Sequence, residues 1–329
     1  MKWIYSGSRW RGIGRKDIDS AETGVTNMAA SRHIEETTAE HAVGTGCAAS
    51  ATCKVCPHHC RIGAGRLGLC GARRNEGGAV IDANYGMATA LALDPIEKKP
   101  LSRFHPGSMI LSYGSYGCNL SCRFCQNSDI SMADASSELA SGAVYISPEE
   151  LAQRAAALHR SDNIGVAFTY NDPLIAPEYI RDVGALLHDS DLLSVVVTNG
   201  YCDPEVFESL LPYIDALNID LKCFSEEGYR SLGAPDGLDT VCKNIEAAVE
   251  AGRHVEVTTL VVPGLSDDEE AFRRECEWLR SLDESTVLHI SRFFPRYRMT
   301  DASPTDIALM GRFRDIAATE LEHVELGNI

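Results

Sequence analysis

From residue 108 onward the chain alternates two rhythms. Short runs of β-branched and other apolar residues recur, and between them lie stretches whose apolar positions fall three and four apart. The first pattern predicts strands and the second amphipathic helices. The strand runs are SMILSYG (108–114), IGVAFTY (164–170), LSVVVTN (193–199), ALNIDL (216–221), HVEVTTLVV (254–262) and TVLHISRF (286–293), with the C-terminal VELGNI as a further candidate. Helix starts carry capping chemistry. Ser147-Pro148-Glu149-Glu150 offers a cap, a proline at the first helical position and a reciprocal Glu, and Ser266 with Glu269 repeats the box. Asp203-Pro204 and Ser303-Pro304 are two further cap-plus-proline starts.

About six strands alternating with helices imply a parallel sheet with crossover helices. The stretch 108–329 suits an α/β fold of the open or partial (β/α)6, TIM-like kind better than a full eight-unit barrel. In such folds chemistry gathers at the C-terminal ends of the strands. Upstream the pattern changes. Residues 1–46 are polar with few periodic apolar positions and read as a flexible extension. Residues 47–78 form a Cys- and Gly-rich module and 79–107 a connector with short strands. Its basic residues Lys98, Lys99, Arg103 and His105 either line a polar substrate, close the barrel mouth or stay solvated.

The 47 acidic residues outnumber the 30 basic ones, giving a formal charge of −17. That argues against sequence-independent nucleic-acid binding, which needs a basic surface, although RFFPRYR (292–298) forms one local basic run. No apolar run approaches the ~20 residues that span a bilayer, and the N-terminus lacks the apolar core of a secretory signal. The expected location is cytoplasmic. In that reducing setting the 12 cysteines read as metal ligands and buried thiols rather than disulfides.

Those cysteines cluster. Cys118, Cys122 and Cys125 fall within the loop after the 108–114 run, spaced C-x3-C-x2-C, with Asn119 and Asn127 around them. Thiolates favour zinc or iron–sulfur clusters. A closed zinc site needs a fourth ligand, for which His105 or Cys223 is available. A 4Fe–4S cubane on three thiolates leaves one iron without a protein ligand, a place for a substrate or cofactor to chelate. A second group, Cys53, Cys56, Cys60 and Cys70, has C-x2-C-x3-C-x9-C spacing with His58 and His59 inside it. It admits a structural zinc, a second iron–sulfur cluster or a metal-free redox role.

GCNLSCRFCQN (117–127) resembles the radical S-adenosylmethionine (SAM) signature C-x3-C-x-φ-C, with Phe124 as the aromatic φ. Together with CKVCPHHC, DPIEKKPL, FHPGS, FTYNDP and RFFPRY, it resembles the AmmeMemoRadiSam-system radical SAM enzymes, relatives of the pyruvate formate-lyase activating enzymes. The resemblance runs from about Cys53 to the C-terminus. It implies a radical SAM-type partial barrel and a 4Fe–4S cluster on Cys118, Cys122 and Cys125. SAM would be chelated at the open iron and cleaved to a 5′-deoxyadenosyl radical that takes hydrogen from a substrate. By kinship that substrate is a protein or peptide, with a small molecule or RNA as alternatives, and the electron donor is a low-potential carrier such as flavodoxin or ferredoxin.

The same resemblance marks Phe124, Asn127, Tyr170, Asn171, Asp172, Asn199, Asp220 and Lys222 as cofactor-binding candidates. Tyr170-Asn171-Asp172-Pro173 would hold the SAM amino group, with Asp172 shorter than the family's usual Glu. Asn-Asp-Pro is equally a strand-ending turn and cap, and Asn199-Gly200 equally a turn. Asp220 and Lys222, two apart on a strand, share one face. Lys222 and Cys223 are the candidate catalytic residues, against a surface ion pair and an inert buried thiol. The loop VVPGLSDD (261–268) resembles the segment that approaches adenine. Two other readings stay open: an iron–sulfur electron carrier or sensor without SAM turnover, and a zinc-held scaffold for partner proteins.

Overall fold

A computed structural model describes residues 50–329 and the backbone of two short strands, β1 (Ile4–Ser6) and β2 (Arg9–Arg11). The rest of the extension expected over 1–46 lies outside the described residues. A ten-stranded sheet organises the chain. Its remaining strands are β3 (Ala90–Pro95), β4 (Met109–Gly114), β5 (Asn163–Phe168), β6 (Leu193–Thr198), β7 (Ala216–Asp220), β8 (His254–Val261), β9 (Val287–Arg292) and β10 (His323–Gly327).

Strands β4 to β10 are parallel and bonded in chain order. VELGNI therefore supplies a seventh parallel strand, with Leu288 opposite Val324. Antiparallel β3 flanks β4, and the β1–β2 hairpin continues that edge with Ile4 opposite Ala90. The sheet runs from β10 at one edge to β2 at the other without closing, so this is a partial TIM-like barrel.

Both faces of the parallel strands are covered, which is why their sequences are near-continuously apolar. Val195, Val196, Leu217, Ile219 and Val257 are fully buried. The crossovers carry helices α1 (Pro148–Ala157), α2 (Pro177–His188), α3 (Pro204–Leu210), α4 (Glu226–Ser231), α5 (Gly237–Glu250), α6 (Glu269–Leu282) and α7 (Ile307–Ala317). Ser147 caps α1 by accepting from Glu150 N at 3.2 Å, and Asp203 caps α3 through Glu205 N, as their sequences predict. Two expected caps move. Asp268, not Ser266, caps α6 by accepting from Ala271 N at 2.6 Å. Ser266 instead accepts from Val262 N and donates to Leu260 O, tightening the loop. Asp306, not Ser303, caps α7.

The connector closes the barrel at the end opposite the expected mouth. Ile96 and Leu101 pack on Ile110, Ala167, Val195 and Ala216 inside the sheet. The buried Glu256, near the start of β8, accepts from Ser102 N at 2.9 Å and Arg103 N at 2.8 Å, and meets His289 at 2.5 Å. Lys99 turns inward to Asp94 at 2.9 Å rather than lining the mouth or staying solvated. The Cys-rich module is two hairpins, Ala51–Thr52 with Arg61–Ile62 and Arg73–Glu76 with Ala79–Asp82. The second runs across the boundary expected at residue 78. A two-bonded ion pair, Arg73 to Glu178 at 2.7 and 2.8 Å, ties it to α2.

Candidate active site at the C-terminal end of the barrel

The cysteine loop leaves the end of β4 and is gripped from several sides. Asn171, just past β5, accepts from Ser115 N at 2.9 Å and donates to the carbonyls of Tyr116 and Gly117, both at 3.2 Å. Gly117 has φ +89°, and a Cβ there would sit 2.4 Å from the carbonyl oxygen of Cys70, so only glycine fits. Asn127 donates to Tyr170 O at 2.9 Å. Ser121 N donates to Leu232 O at 2.9 Å, and Arg298 N to Arg123 O at 2.9 Å.

Within this cradle Cys122 is buried, while Cys118 and Cys125 are half-buried. The Cys118 sulfur accepts from Leu120 N at 3.4 Å and Asn199 Nδ2 at 3.7 Å. Burial pushes the Cys118 thiol well above its ordinary range, with Asp172, Cys122 and Cys125 adding to the effect. Burial likewise pushes Cys122 up to about 11, opposed by Lys222 and reinforced by Cys125 and Asp220. Neutral thiols packed this way become ligands when a cation supplies the missing charge. Lys222 holds Asp220 at 2.5 Å. Burial disfavours its ammonium, but Asp220 and the thiols of Cys122 and Cys125 outweigh that and raise it. The predicted Asp-x-Lys pair therefore stands beside the thiols.

A family model described as the Radical SAM superfamily matches residues 112–276, which contain this loop and most of the barrel. An uncharacterized protein of Methanocaldococcus jannaschii is 34% identical over 281 residues, 84% of this chain and 81% of its own length. The chain belongs to the radical SAM superfamily. The pyruvate formate-lyase-activating enzyme of Clostridium pasteurianum is 25% identical over 213 residues, 63% of this chain and 83% of its own. The 4-hydroxyphenylacetate decarboxylase activating enzyme of Clostridium scatologenes is 32% identical over 133 residues, 39% and 42% of the two chains. The crystal structure of a radical SAM methyltransferase from Sphaerobacter thermophilus shares the fold, with a TM-score of 0.51 and 17% identity over 68% of this chain and 67% of that one.

Membership makes this a radical-chemistry enzyme whose implied cofactors are a 4Fe–4S cluster and SAM. The thiol loop fits that cluster better than a single ion. Among the described residues, no three His, Cys, Asp or Glu side chains are set to hold one metal ion. Four sulfurs on one zinc stand only ~3.8 Å apart, as ~2.3 Å bonds in a tetrahedron require. In a cubane each thiolate takes its own iron and the sulfurs stand further apart. No helix among the described residues is long and apolar enough to cross a membrane.

The other candidates divide. Asp172 is 4% exposed. Its carboxylate accepts from Leu174 N at 3.0 Å, Asn199 N at 2.9 Å and Thr198 Oγ1 at 3.1 Å. Burial pushes it up to about 6 against those hydrogen bonds. Tyr170, at φ +74°, donates its hydroxyl to Asp94 at 2.9 Å. The side chains of Tyr170, Asn171 and Asp172 thus serve the scaffold that carries the loop. Phe124 is buried in the main core. Cys223 is closed in: it is 1% exposed, a Cβ on Gly228 would meet its sulfur at 2.4 Å, and burial pushes the thiol up to about 12.

Sequence reasoning missed the role of Asn119. It donates to Tyr201 O at 2.5 Å and accepts from Asn199 Nδ2 at 2.9 Å, while its carbonyl meets His58 Nε2 at 2.8 Å. Its place inside the cysteine motif was the available signal. His58 carried none, being 61 residues away.

Proposed function

We propose that this enzyme uses Cys118, Cys122 and Cys125 to hold a 4Fe–4S cluster, cleaves SAM reductively, and takes hydrogen from a protein or peptide substrate in the manner of a glycyl-radical activating enzyme. The observation that supports it most is a loop carrying three thiols at a barrel strand end, with an Asp220–Lys222 pair at its edge. When bound, the cluster and SAM supply methionine and a 5′-deoxyadenosyl radical, at the expense of one electron from a donor such as flavodoxin or ferredoxin.

The chain's own part is positional. Asn199 donates to the Cys118 sulfur and so stabilises it as a ligand. Asp172 fixes the backbone N–H of Asn199, and Asn171 and Asn127 fix the two ends of the loop. Lys222 and Asp220 present opposite charges to the polar groups of SAM or substrate, whereas Cys223 is left without a role. The rim carries exposed Arg123, Arg296 and Arg298 and an exposed Phe294, a mixture suited to docking a polypeptide. In the Cys-rich module the Cys53, Cys56, Cys60 and Cys70 group is proposed as a second metal site, zinc or iron–sulfur, with 108–329 as the catalytic barrel.

Anaerobic enzyme with SAM, dithionite and an extract of deuterium-grown cells tests this reading. The expected product is 5′-deoxyadenosine that gains deuterium from the macromolecular fraction. Deuterium drawn from the small-molecule fraction instead would overturn the substrate class, and absence of 5′-deoxyadenosine would overturn the reaction.

A further inference from the structure

The second thiol group lies against the back of the first. Cys53, Cys56 and Cys70 are buried, Cys60 is half-buried, and all four line one cavity with His58, Gly68, Arg73 and Ile175. Neither neighbouring histidine is free to join them through Nε2. His58 uses that atom on Asn119 O, and His59 uses its own on Asp203 at 3.1 Å. On the cavity wall the four sulfurs outnumber every other donor, and sulfur donors select soft metal centres.

The backbone N–H groups of His58, near Cys56, and of Ala72 and Arg73, near Cys70, act to lower the thiol pKa values against the larger effect of burial. His58 and Ala72 stand two residues after their cysteines, the offset by which Leu120 N serves Cys118. Such N–H to sulfur bonds stabilise and tune iron-bound thiolates.

Among the described residues the four cysteines, like the radical SAM thiols, are not set to hold a single metal ion. In a cubane each thiolate takes its own iron instead.

A hydrogen-bond chain joins the two groups. His58, on the wall of the four-cysteine cavity, meets the Asn119 carbonyl through Nε2 at 2.8 Å. The Asn119 Oδ1 accepts from Asn199 Nδ2 at 2.9 Å, and the same Nδ2 reaches the Cys118 sulfur at 3.7 Å. The Cys70 carbonyl meanwhile lies against Gly117, next to Cys118.

We propose that Cys53, Cys56, Cys60 and Cys70 hold a second iron–sulfur cluster, fully ligated by the protein and coupled to the three-cysteine site through Asn119 and Asn199. It takes one electron from a low-potential carrier protein and passes it on, so that it ends each turnover in its starting oxidation state. The coupling, though not the second cluster itself, rests on the cluster assigned to Cys118, Cys122 and Cys125.

Iron and sulfide counts on the anaerobically reconstituted full chain test it. The expected count is about eight iron per wild-type chain, and about four in the triple variant Cys118→Ala/Cys122→Ala/Cys125→Ala. The dithionite-reduced wild type should also show an electron paramagnetic resonance signal broader than that of the triple variant, because two nearby spins interact. A triple variant holding about one zinc and no iron, or no metal at all, overturns the second cluster. That variant leaves the Cys-rich module untouched, so it decides the matter even where Cys53→Ser or Cys56→Ser fails to fold. A wild type with about four iron that the triple variant keeps would instead remove the first cluster and spare the second. A wild-type signal no broader than the triple variant's, with about eight iron present, overturns the coupling.

Discussion

Glu275 on α6 offers a clean test of how burial controls a charge in this fold. It is 1% exposed, and its carboxyl accepts a hydrogen bond from Thr259 on β8. Burial pushes its pKa from 4.5 up to about 8, opposed by the Thr259 hydroxyl. Between those two values the unfolded chain has lost the proton and the folded chain still holds it. The folded state then binds about one proton more, so stability falls as pH rises. The slope from this one group is ~1.4 kcal/mol per pH unit, and the window of about 3.5 units makes the full effect roughly 5 kcal/mol. Glu275→Gln keeps an oxygen for Thr259 and cannot titrate. Urea unfolding followed by far-UV circular dichroism at pH 5.5, 6.5 and 7.5 should show the variant gaining on wild type by ~1.4 kcal/mol per unit, about 3 kcal/mol across the series. A gap that stays constant from pH 5.5 to 7.5 would refute the reasoning and mean that Glu275 reaches solvent in the folded protein.

Lys222→Met removes one partner of a charge-assisted bond of ~1.5–3 kcal/mol, so SAM cleavage should slow by about 10- to 150-fold. Cys223→Ala should stay within about twofold of wild type, because its thiol is closed in; both rates are read as 5′-deoxyadenosine per minute. Gly117→Ala forces a side chain into the left-handed region and against the Cys70 carbonyl. The expected loss is about 2 kcal/mol or more in urea unfolding, together with reduced iron content.

Much of this was legible in the sequence, for physical reasons. Parallel strands covered on both faces must be apolar along their length, so the seven strands stood out within two residues of their ends. Ser147 and Asp203 were readable as caps because no other Ser, Thr, Asp or Asn stands between either of them and the first helical turn. Ser266 and Ser303 misled because Asp268 and Asp306 lie closer to the first helical turn and compete successfully for it.

The thiol loop was legible because three thiols so close together have few other uses. The duties of Asn171 and Asp172 were not, since residues that end a strand and cap a turn are the same types that would bind a cofactor. Contact between the two cysteine groups was hidden altogether. It depends on folding the His58 hairpin onto Asn119, and no local pattern encodes a packing partner 61 positions away.

The central claim is that the three thiols of Cys118, Cys122 and Cys125 hold the cluster that arms a bound SAM for reductive cleavage. The most direct test is 5′-deoxyadenosine release from anaerobic, reconstituted protein given SAM and dithionite, wild type beside Cys122→Ala. The account expects release from the wild type and none from the variant. Equal release from both, or none from a wild type that carries its full complement of iron, would contradict it.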